Sequence, residues 1–346
     1  MKKNYWVRKL AAFFDNRIVR IQDLKWLAVV AVGVVILCAG IVQAQQPAKI
    51  PTVGVLVSGT PSELTPRMEA FRQGLRELGY VEGKNVIIDQ RSSDGSTANL
   101  AAELVSLKVD VIVTMGSGPT QSAKKATSTI PIVMTFVSDP IGFGFVASLA
   151  RPGGNITGMT NFGPELSGKR LELLKEIRPK ISRVAIFLAP SDTPIQTFLV
   201  KEMQAPAAAL GIKLLPFEPR SRAPKHVEEA LGSLKSRHPD ALMVLPTLSS
   251  ATSGIVEFAL KNRLPTTFHW KEYVEAGGLM YYGANVPDMY RRAAAHVDKL
   301  LKGARPADIP VEQPMKFEFI INLKAAKQIG LTIPPNVLVR ADRVIR

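Results

Sequence analysis

Cysteine is almost absent from this 346-residue chain, because the one cysteine, Cys38, lies in an apolar run near the N-terminus. Beyond that run no thiol remains for a disulfide, a thiolate metal site or a cysteine nucleophile. The four histidines, His226, His238, His269 and His296, show no metal-ligand spacing. We therefore expect neither a metal ion nor a cofactor.

Motifs that bind nucleotides or carry hydrolytic chemistry are also missing. No G-x-G-x-x-G follows the first predicted strand, and neither a Gly-Lys-Ser/Thr phosphate loop nor a G-x-S-x-G elbow occurs. The paired acids Glu228 and Glu229 lie on a predicted helix, where a solvated face accounts for them. These absences disfavour an enzyme, although a Rossmann-like sheet would permit one.

The net charge of +15 at pH 7 raises the question of a nucleic-acid partner. The basic residues are scattered singly along amphipathic helices, without a basic stripe or an interleaved aromatic motif. No helix-turn-helix region precedes residue 50, which disfavours a repressor. We predict no nucleic-acid partner and interpret the charge as a solvated surface, with a weak preference for anionic membranes.

The N-terminus has the residue order of an export signal. Seven basic residues precede an apolar run from Leu27 to Val42, and small residues lead to Ala44. The run is short for a membrane span of roughly 20 residues. Cleavage after Ala44 would leave a periplasmic protein of about 300 residues with a net charge of about +10. Residues 45–51 would then form a flexible tether at its N-terminus. The alternative is an uncut leader that anchors the protein to the membrane.

Short apolar runs alternate with amphipathic helical patterns through the rest of the chain. This alternation predicts parallel sheets with right-handed crossovers, and about 300 residues exceed one ordinary core. We predict an α/β protein of two Rossmann-like domains joined by a hinge. The predicted N-terminal lobe is 52–157 plus about 284–312, and the C-terminal lobe is 158–283 plus about 313–346. The hinge crossings are expected near Gly158, His269 and residues 283–314.

Strands and helices are predicted from these runs as follows. Predicted strands lie at 53–57, 85–90, 109–114, 132–136, 184–188, 212–217, 241–245, 266–268, 279–282 and 316–321. Predicted helices include 119–129, 141–150, 166–177, 224–237, 250–262 and 287–302, and the glycine-rich passage 151–158 is interpreted as a crossing between the domains.

The stretch 109–139 organises the first half. Two apolar runs end in Gly116-Ser117-Gly118-Pro119 and in Ser138-Asp139-Pro140, each beside a predicted helix start. In open α/β sheets, ligands bind outside the carboxyl ends of the strands, where helix N-termini offer free N–H groups. These loops are therefore predicted to bind a ligand, with ordinary helix caps as the alternative.

Several motifs carry a family resemblance. They are V-G-V-L-V-S-G-T-P, F-R-Q-G-L-R-E-L-G-Y-V-E-G-K-N-V, V-I-V-T-M-G-S-G-P-T-Q-S, V-S-D-P-I, A-R-P-G-G-N-I-T-G and I-N-L-K-A-A-K-Q-I-G-L-T-I-P. In this order they resemble the ABC transporter substrate-binding family related to tryptophan/tyrosine binding proteins. The resemblance implies a type I periplasmic-binding fold and a monomeric receptor. Such a receptor captures a small solute and delivers it to an ABC permease with its ATPase.

The same resemblance implies the ligand-binding residues. A carboxylate would bind the hydroxyls and N–H groups, Asp139 would accept from an ammonium group unless it is a plain cap, and an aromatic or branched amino acid would use both. The first-half residues are Ser58, Gly59, Thr60, Gly116, Ser117, Pro119, Thr120, Ser138 and Asp139. The second-half candidates, each with a structural role as the alternative, are Ser191, Thr247, Trp270 and Tyr281.

One stretch departs from the family pattern. Residues 278–283 read G-L-M-Y-Y-G, where the family commonly has small residues. Because side chains alternate along a strand, Tyr281 and Tyr282 should point one to the cleft and one to the core. A membrane-tethered ligand sensor with the same fold remains the alternative function.

Overall fold

The structure is a computed structural model, and it describes residues 49–59, 61–93, 96–161, 163–188, 190, 195–221, 223–245 and 252–346. The predicted leader and its cleavage site at Ala44 lie outside these residues. No helix within the described ranges is long and apolar enough to cross a membrane.

The first sheet has five parallel strands in the order β2-β1-β3-β4-β5. They are β1 Thr52–Ser58, β2 Ile87–Ser93, β3 Val111–Met115, β4 Ile132–Val137 and β5 Ile156–Thr160. Strands β3 and β4 are buried along their whole length, as continuous apolar runs in a parallel sheet should be.

The second sheet has seven strands in the order β12-β11-β10-β9-β8-β6-β7. Its strands are parallel except for β10 and β11, which pair antiparallel. They are β6 Arg183–Phe187, β7 Lys213–Phe217, β8 Ala241–Val244, β9 Thr266–Phe268, β10 Met280–Ala284, β11 Phe317–Asn322 and β12 Arg343–Ile345.

Helices connect the strands and cover the faces of both sheets. In chain order they are α1 Pro61–Glu77, α2 Ala98–Ser106, α3 Ser117–Ala126, α4 Gly163–Ile177, α5 Ile195–Ala209, α6 Pro224–Leu234, α7 Thr252–Lys261, α8 Glu272–Glu275, α9 Val286–Leu301, α10 Leu323–Gln328 and α11 Pro335–Leu338. Short 3-10 turns lie at Lys235–Arg237 and Pro306–Asp308.

The core of the first sheet follows from the two-residue period of its strands. Val53, Val55 and Val57 face one side, where they pack with α1 and α9, while Leu56 faces the layer of α2 and α3. Helix α9 thus returns from the second half of the chain to cover the first sheet. The alternating pattern therefore predicts the α/β class, and the fold confirms it.

One local prediction between β4 and α4 was wrong. Residues 140–144 form turns rather than the predicted helix at 141–150, because Asp139 caps the first turn and Gly144 takes a left-handed backbone with φ of 64°. The glycine-rich passage interpreted as a crossing runs into edge strand β5, whose Met159 pairs with Glu312. The antiparallel strand β11 also departs from the predicted strict alternation of parallel strands.

The segments that cross between the sheets lie side by side. Met159 forms a bridge with Glu312, and the Glu312 N–H donates to the Gly158 carbonyl at 2.8 Å. Two other crossing segments are joined by a hydrogen bond, in which the Asn285 N–H donates to the Lys316 carbonyl at 2.9 Å. The predicted lobe boundaries stay a prediction, and β5 extends past the boundary expected at 157.

The two halves use the same device to fix a strand start. Asp110 accepts a hydrogen bond from the Thr52 N–H at 2.8 Å. Asp240 accepts one from the Ser182 N–H at 2.8 Å and one from the Arg183 N–H at 2.9 Å. Each aspartate precedes an inner strand and holds the start of its neighbour, which favours two halves of similar build.

Replacing Asp240 with alanine should destabilise the second sheet at neutral pH. Burial would raise the pKa of Asp240, but hydrogen bonds from Ser182 and Arg183 outweigh it and lower the pKa. A lowered folded-state pKa stabilises the protein above the unfolded value, and this is lost as the pH falls through the folded pKa. We expect the free energy of unfolding to drop by about 1–2 kcal/mol at pH 7.

Urea unfolding of the wild type and the Asp240→Ala variant over a pH series from 7 into the acid range measures this effect. The loss should shrink as the pH falls, because the stability supplied by a carboxylate with a lowered pKa is lost as the pH passes through the folded-state value. The exposed Asp308, which pairs with Arg305, provides the matched control Asp308→Ala. A loss that stays equal over the whole pH series would contradict a charge-dependent role for Asp240.

Candidate functional site

An aromatic cluster joins the carboxyl ends of strands from the two sheets. Phe136 lies near the end of β4, and His269 and Trp270 follow β9 directly. The Phe136 and Trp270 rings stack with centroids 4.5 Å apart, and the Phe136 and His269 rings meet edge to face at 5.4 Å. Such contacts give roughly 0.5–1.5 kcal/mol beyond the area that they bury. The two halves of the chain therefore meet at this edge.

Phe136 holds an unusual backbone conformation. Its φ is 57°, a left-handed value that is costly for a bulky residue, and the register of β4 against β5 shifts between Met134 and Val137. The irregularity lies at the carboxyl end of a central strand, where it presents the Phe136 ring to Trp270. Strain of this kind is found preferentially at ligand sites.

Two arginines lie at the same cluster. The Arg67 guanidinium on α1 lies over the Trp270 ring, 4.1 Å from its centroid. Arg170 on α4 is 2% exposed, and its Nε donates to the Tyr282 carbonyl at 2.8 Å. Among the described residues, no carboxylate pairs with either guanidinium. Arg67 is half-buried and Arg170 is fully buried, and an uncompensated buried charge costs several kcal/mol, so an anion that reached Arg170 would be stabilised.

Several buried polar atoms here have no hydrogen-bond partner within the described ranges. They belong to side chains that converge on the cluster or start a helix at the same edge of the second sheet. Buried polar groups are paired in more than about nine cases out of ten, so their concentration indicates a ligand. The atoms are Arg67 Nε, Arg170 Nη1, both side-chain atoms Nδ2 and Oδ1 of Asn161, both ring nitrogens of His269 and Thr252 Oγ1.

The electrostatics of the cluster are those of an anion-binding site. Burial, followed by the charges of Arg170 and Arg67, holds the pKa of His269 well below its ordinary value, so the imidazole is neutral at pH 7. Burial lowers the pKa of Arg170 to about 10, which still leaves the guanidinium charged. The site therefore combines two cations with a neutral imidazole and a primary amide.

This arrangement suits a planar solute with a carboxylate. The guanidinium forks can bind a carboxylate in bidentate fashion, and the amide and imidazole can orient the remaining polar groups. The surrounding Phe136 and Trp270 rings offer an apolar wall. Among the residues that the structure describes, no group of three or more His, Cys, Asp or Glu could hold a metal ion.

The structure places the predicted first-half residues along the carboxyl ends of β1, β3 and β4. Ser58 ends β1, and Gly59 and Gly116 have left-handed φ values of 125° and 97°. The space beside Gly116 is open, and Ser117 begins α3. These positions stay predicted ligand contacts, and Thr60 lies outside the described residues.

Other predicted contacts already bond within the protein. The Thr120 hydroxyl donates to the Gly116 carbonyl at 2.8 Å and is fully buried behind Pro119. Ser138 is buried after β4. Asp139 Oδ1 accepts from the Ile141 and Gly142 N–H groups, which is the capping role weighed as its alternative.

The second-half candidates separate from one another. Trp270 lies in the cluster, whereas Tyr281 is 1% exposed in the second-sheet core and its hydroxyl donates to the Ala284 carbonyl at 2.8 Å. Tyr282 lies on the other face of β10, and its carbonyl accepts from Arg170. Ser191 and Thr247 lie outside the described residues.

Sequence reasoning missed Arg67, Phe136, Asn161 and Arg170, and assigned His269 only to the hinge. A signal for Arg170 was present, because it shares a helix stripe with Leu166, Leu174 and Ile177, all of which are buried. A charged residue on an apolar stripe is either half-exposed or functional. Asn161 and Phe136 gave no local signal, because both lie at strand ends whose partners are distant in sequence.

The two sheets, their paired crossings and the cluster between them define a type I periplasmic-binding fold. The family model described as ABC transporter substrate binding protein matches residues 52–345, and the chain belongs to this family.

Similar proteins agree with this assignment. The chain is 29% identical to a Tyrosine-binding protein of Clostridioides difficile over 76% of each chain. A solved ABC domain in complex with L-Trp from Streptococcus pneumonia is 28% identical, with a TM-score of 0.76 over 85% of this chain and 99% of that one. A conserved domain protein from Vibrio cholerae is 29% identical, with a TM-score of 0.79 over 86% and 100%.

Proposed function

We propose that this protein is the extracytoplasmic receptor of an ABC importer and captures an aromatic amino acid between its two lobes. The observation that carries the proposal is the set of unpartnered buried polar atoms of Arg67, Asn161, Arg170 and His269 beside the Phe136–Trp270 stack. Polar groups of a bound solute would pair with these atoms, and a planar ring of that solute would pack against the aromatic stack. The solute is delivered to a permease that a cytoplasmic ATPase drives, and the receptor acts as a monomer.

The relatives support the choice of solute. Two of them bear tyrosine or tryptophan in their names, and both align with most of this chain. The sequence has the order of an export signal, which agrees with a periplasmic site of action. Binding without turnover agrees with the absence of the nucleotide and hydrolase motifs sought in the sequence.

A thermal-shift screen of the purified protein tests the proposal. L-tryptophan or L-tyrosine at about a hundred times its dissociation constant should add roughly 2.7 kcal/mol of stability, or several degrees in Tm. With L-tyrosine as the ligand and excitation where tyrosine does not absorb, Trp270 fluorescence should change with the same saturation curve, and Trp270→Phe should abolish that change. Glucose and adenine are the negative controls.

The outcome that would contradict the proposal is the absence of any shift with aromatic and branched amino acids. The importer role has its own readout, which is uptake of the labelled solute by cells with and without the receptor. Unchanged uptake, together with tight binding in vitro, would leave a binding protein that serves another partner.

A further inference from the structure

We infer that Trp270 is a latch between the two lobes, each built on one of the two sheets. Through its contacts with Phe136 and Arg67 it favours the closed cleft before any solute is bound. The inference concerns the closure of the two-lobed fold, so it does not depend on which solute the protein captures.

The Trp270 side chain belongs to the second half of the chain but packs against the cores of both sheets. It is half-buried against the first-sheet cluster that contains Phe136 and against the second-sheet cluster that contains Phe268. Its ring stacks on the Phe136 ring with centroids 4.5 Å apart, and the Arg67 guanidinium lies 4.1 Å from its centroid. One side chain of the second half therefore makes two specific contacts with the first half.

The backbones on both sides of this contact are parts of the sheets. Phe136 lies within β4 and keeps its costly left-handed φ of 57° at the point where it meets Trp270. On the other side, the His269 N–H donates to the Val244 carbonyl at 3.1 Å, which extends the pairing of the second sheet to the residue before Trp270. Each ring therefore moves with its own sheet, and separation of the lobes breaks the contact.

A hinge motion acts on this contact more than on the crossing segments. The crossings are joined through the backbone, as in the hydrogen bond from the Glu312 N–H to the Gly158 carbonyl, and rotation about such segments moves the lobes as bodies. The side-chain contacts at the cleft edge are the ones that form and break.

The expected strength of the latch follows from its two contacts. An aromatic stack and a cation–π contact each change an equilibrium constant by roughly two- to tenfold. A solute that binds the closed form binds more tightly when that form is more populated. The latch should therefore raise the affinity for every such solute by a common factor.

The distance between two spin labels across the mouth of the cleft, measured by pulsed electron paramagnetic resonance without solute, tests the inference. Ser96 follows edge strand β2 and Lys225 follows edge strand β7, and both are exposed. These strands lie at the edges of the sheets away from β5 and β11, where chain segments cross, so opening should lengthen this distance most. The labels are attached to a Ser96→Cys and Lys225→Cys pair, with the one native cysteine, Cys38, replaced by serine.

Replacing Trp270 with alanine in this background should open the cleft. Because two contacts are lost, we expect the ratio of long to short distances to rise at least about fivefold. Phe258→Ala is the matched control, since it removes another half-buried aromatic ring from the second-sheet cluster, and it should leave the ratio unchanged. At saturating solute, the wild type and the Trp270→Ala variant should give the same short distance.

A second variant tests the latch from the other lobe. Arg67→Met should shift the distances in the same direction without solute, which keeps the test valid if Trp270→Ala does not fold. Arg76→Met, on the same helix in an exposed pair with Glu69, is its control and should leave the distances unchanged.

The outcomes separate the latch from the proposed function. Distances that neither Trp270→Ala nor Arg67→Met changes would overturn the inference, even if both variants bind solute more weakly, because both residues would then act only as ligand contacts. Failure to bind any aromatic amino acid would contradict the proposed function, but it would not affect the distances measured without solute.

Discussion

Replacing Arg170 with methionine should weaken ligand binding by at least about a hundredfold, roughly 3 kcal/mol or more, while the fold is kept. Methionine keeps much of the buried volume but removes the charge and the donors that face the cleft. Because Arg170 is 2% exposed, a ligand carboxylate bound as proposed would meet its guanidinium away from water, where a charge-assisted hydrogen bond is strong. Titration of the variant with the wild-type ligand measures the loss.

The stability of the ligand-free variant distinguishes binding from a structural role. Removing a buried charge relieves its desolvation cost, which offsets the lost hydrogen bond from Arg170 Nε to the Tyr282 carbonyl. We therefore expect the free energy of unfolding to change by no more than about 1 kcal/mol. Arg178→Met, just after the same helix and exposed, is the matched control. Retained affinity with a large loss of stability would show Arg170 to be a structural residue.

The elements that could be predicted from the sequence are those that local pattern specifies. Strands β3 and β4 are unbroken apolar runs, and a sheet buried on both faces accepts no other composition. Their ends were marked by Gly116 and Ser138, since a chain that leaves a parallel strand for a helix needs turn and cap residues there. The edge of the sheet that faces the cleft was therefore predictable.

The residues that complete the candidate site were not predictable in the same way. Arg170 lies on α4 of the second half and Arg67 on α1 of the first. Only the tertiary fold brings both beside Trp270 and His269. The orientation of Tyr281 was also not predictable from the sequence. Period-two reasoning predicts that Tyr281 and Tyr282 point to opposite faces, but it does not say which face belongs to the core.

The passage around Gly158 was predicted as a crossing on its glycine content alone. The structure shows why residue 158 in particular has to be glycine. Gly158 has φ of 131°, and a Cβ built there would lie 2.0 Å from the Met134 carbonyl oxygen of the neighbouring strand. Its carbonyl also accepts from the Glu312 N–H, which links two of the segments that cross between the sheets. Only glycine allows β5 to approach β4 this closely.

Replacing Gly158 with alanine should therefore reduce the free energy of unfolding by about 3–5 kcal/mol, because the methyl group forces β5 away from β4 and the backbone is strained as well. Gly154→Ala is the matched control, since Gly154 lies in the same passage, is exposed and has open space for a Cβ. Urea unfolding of both variants measures the difference.

The Gly158→Ala variant should also lose affinity for its ligand, because Asn161 follows β5 directly and moves with it. If Gly158→Ala unfolds at the same urea concentration as the wild type, β5 does not pack on β4 as closely as described. The placement of Asn161 in the site would then be wrong as well.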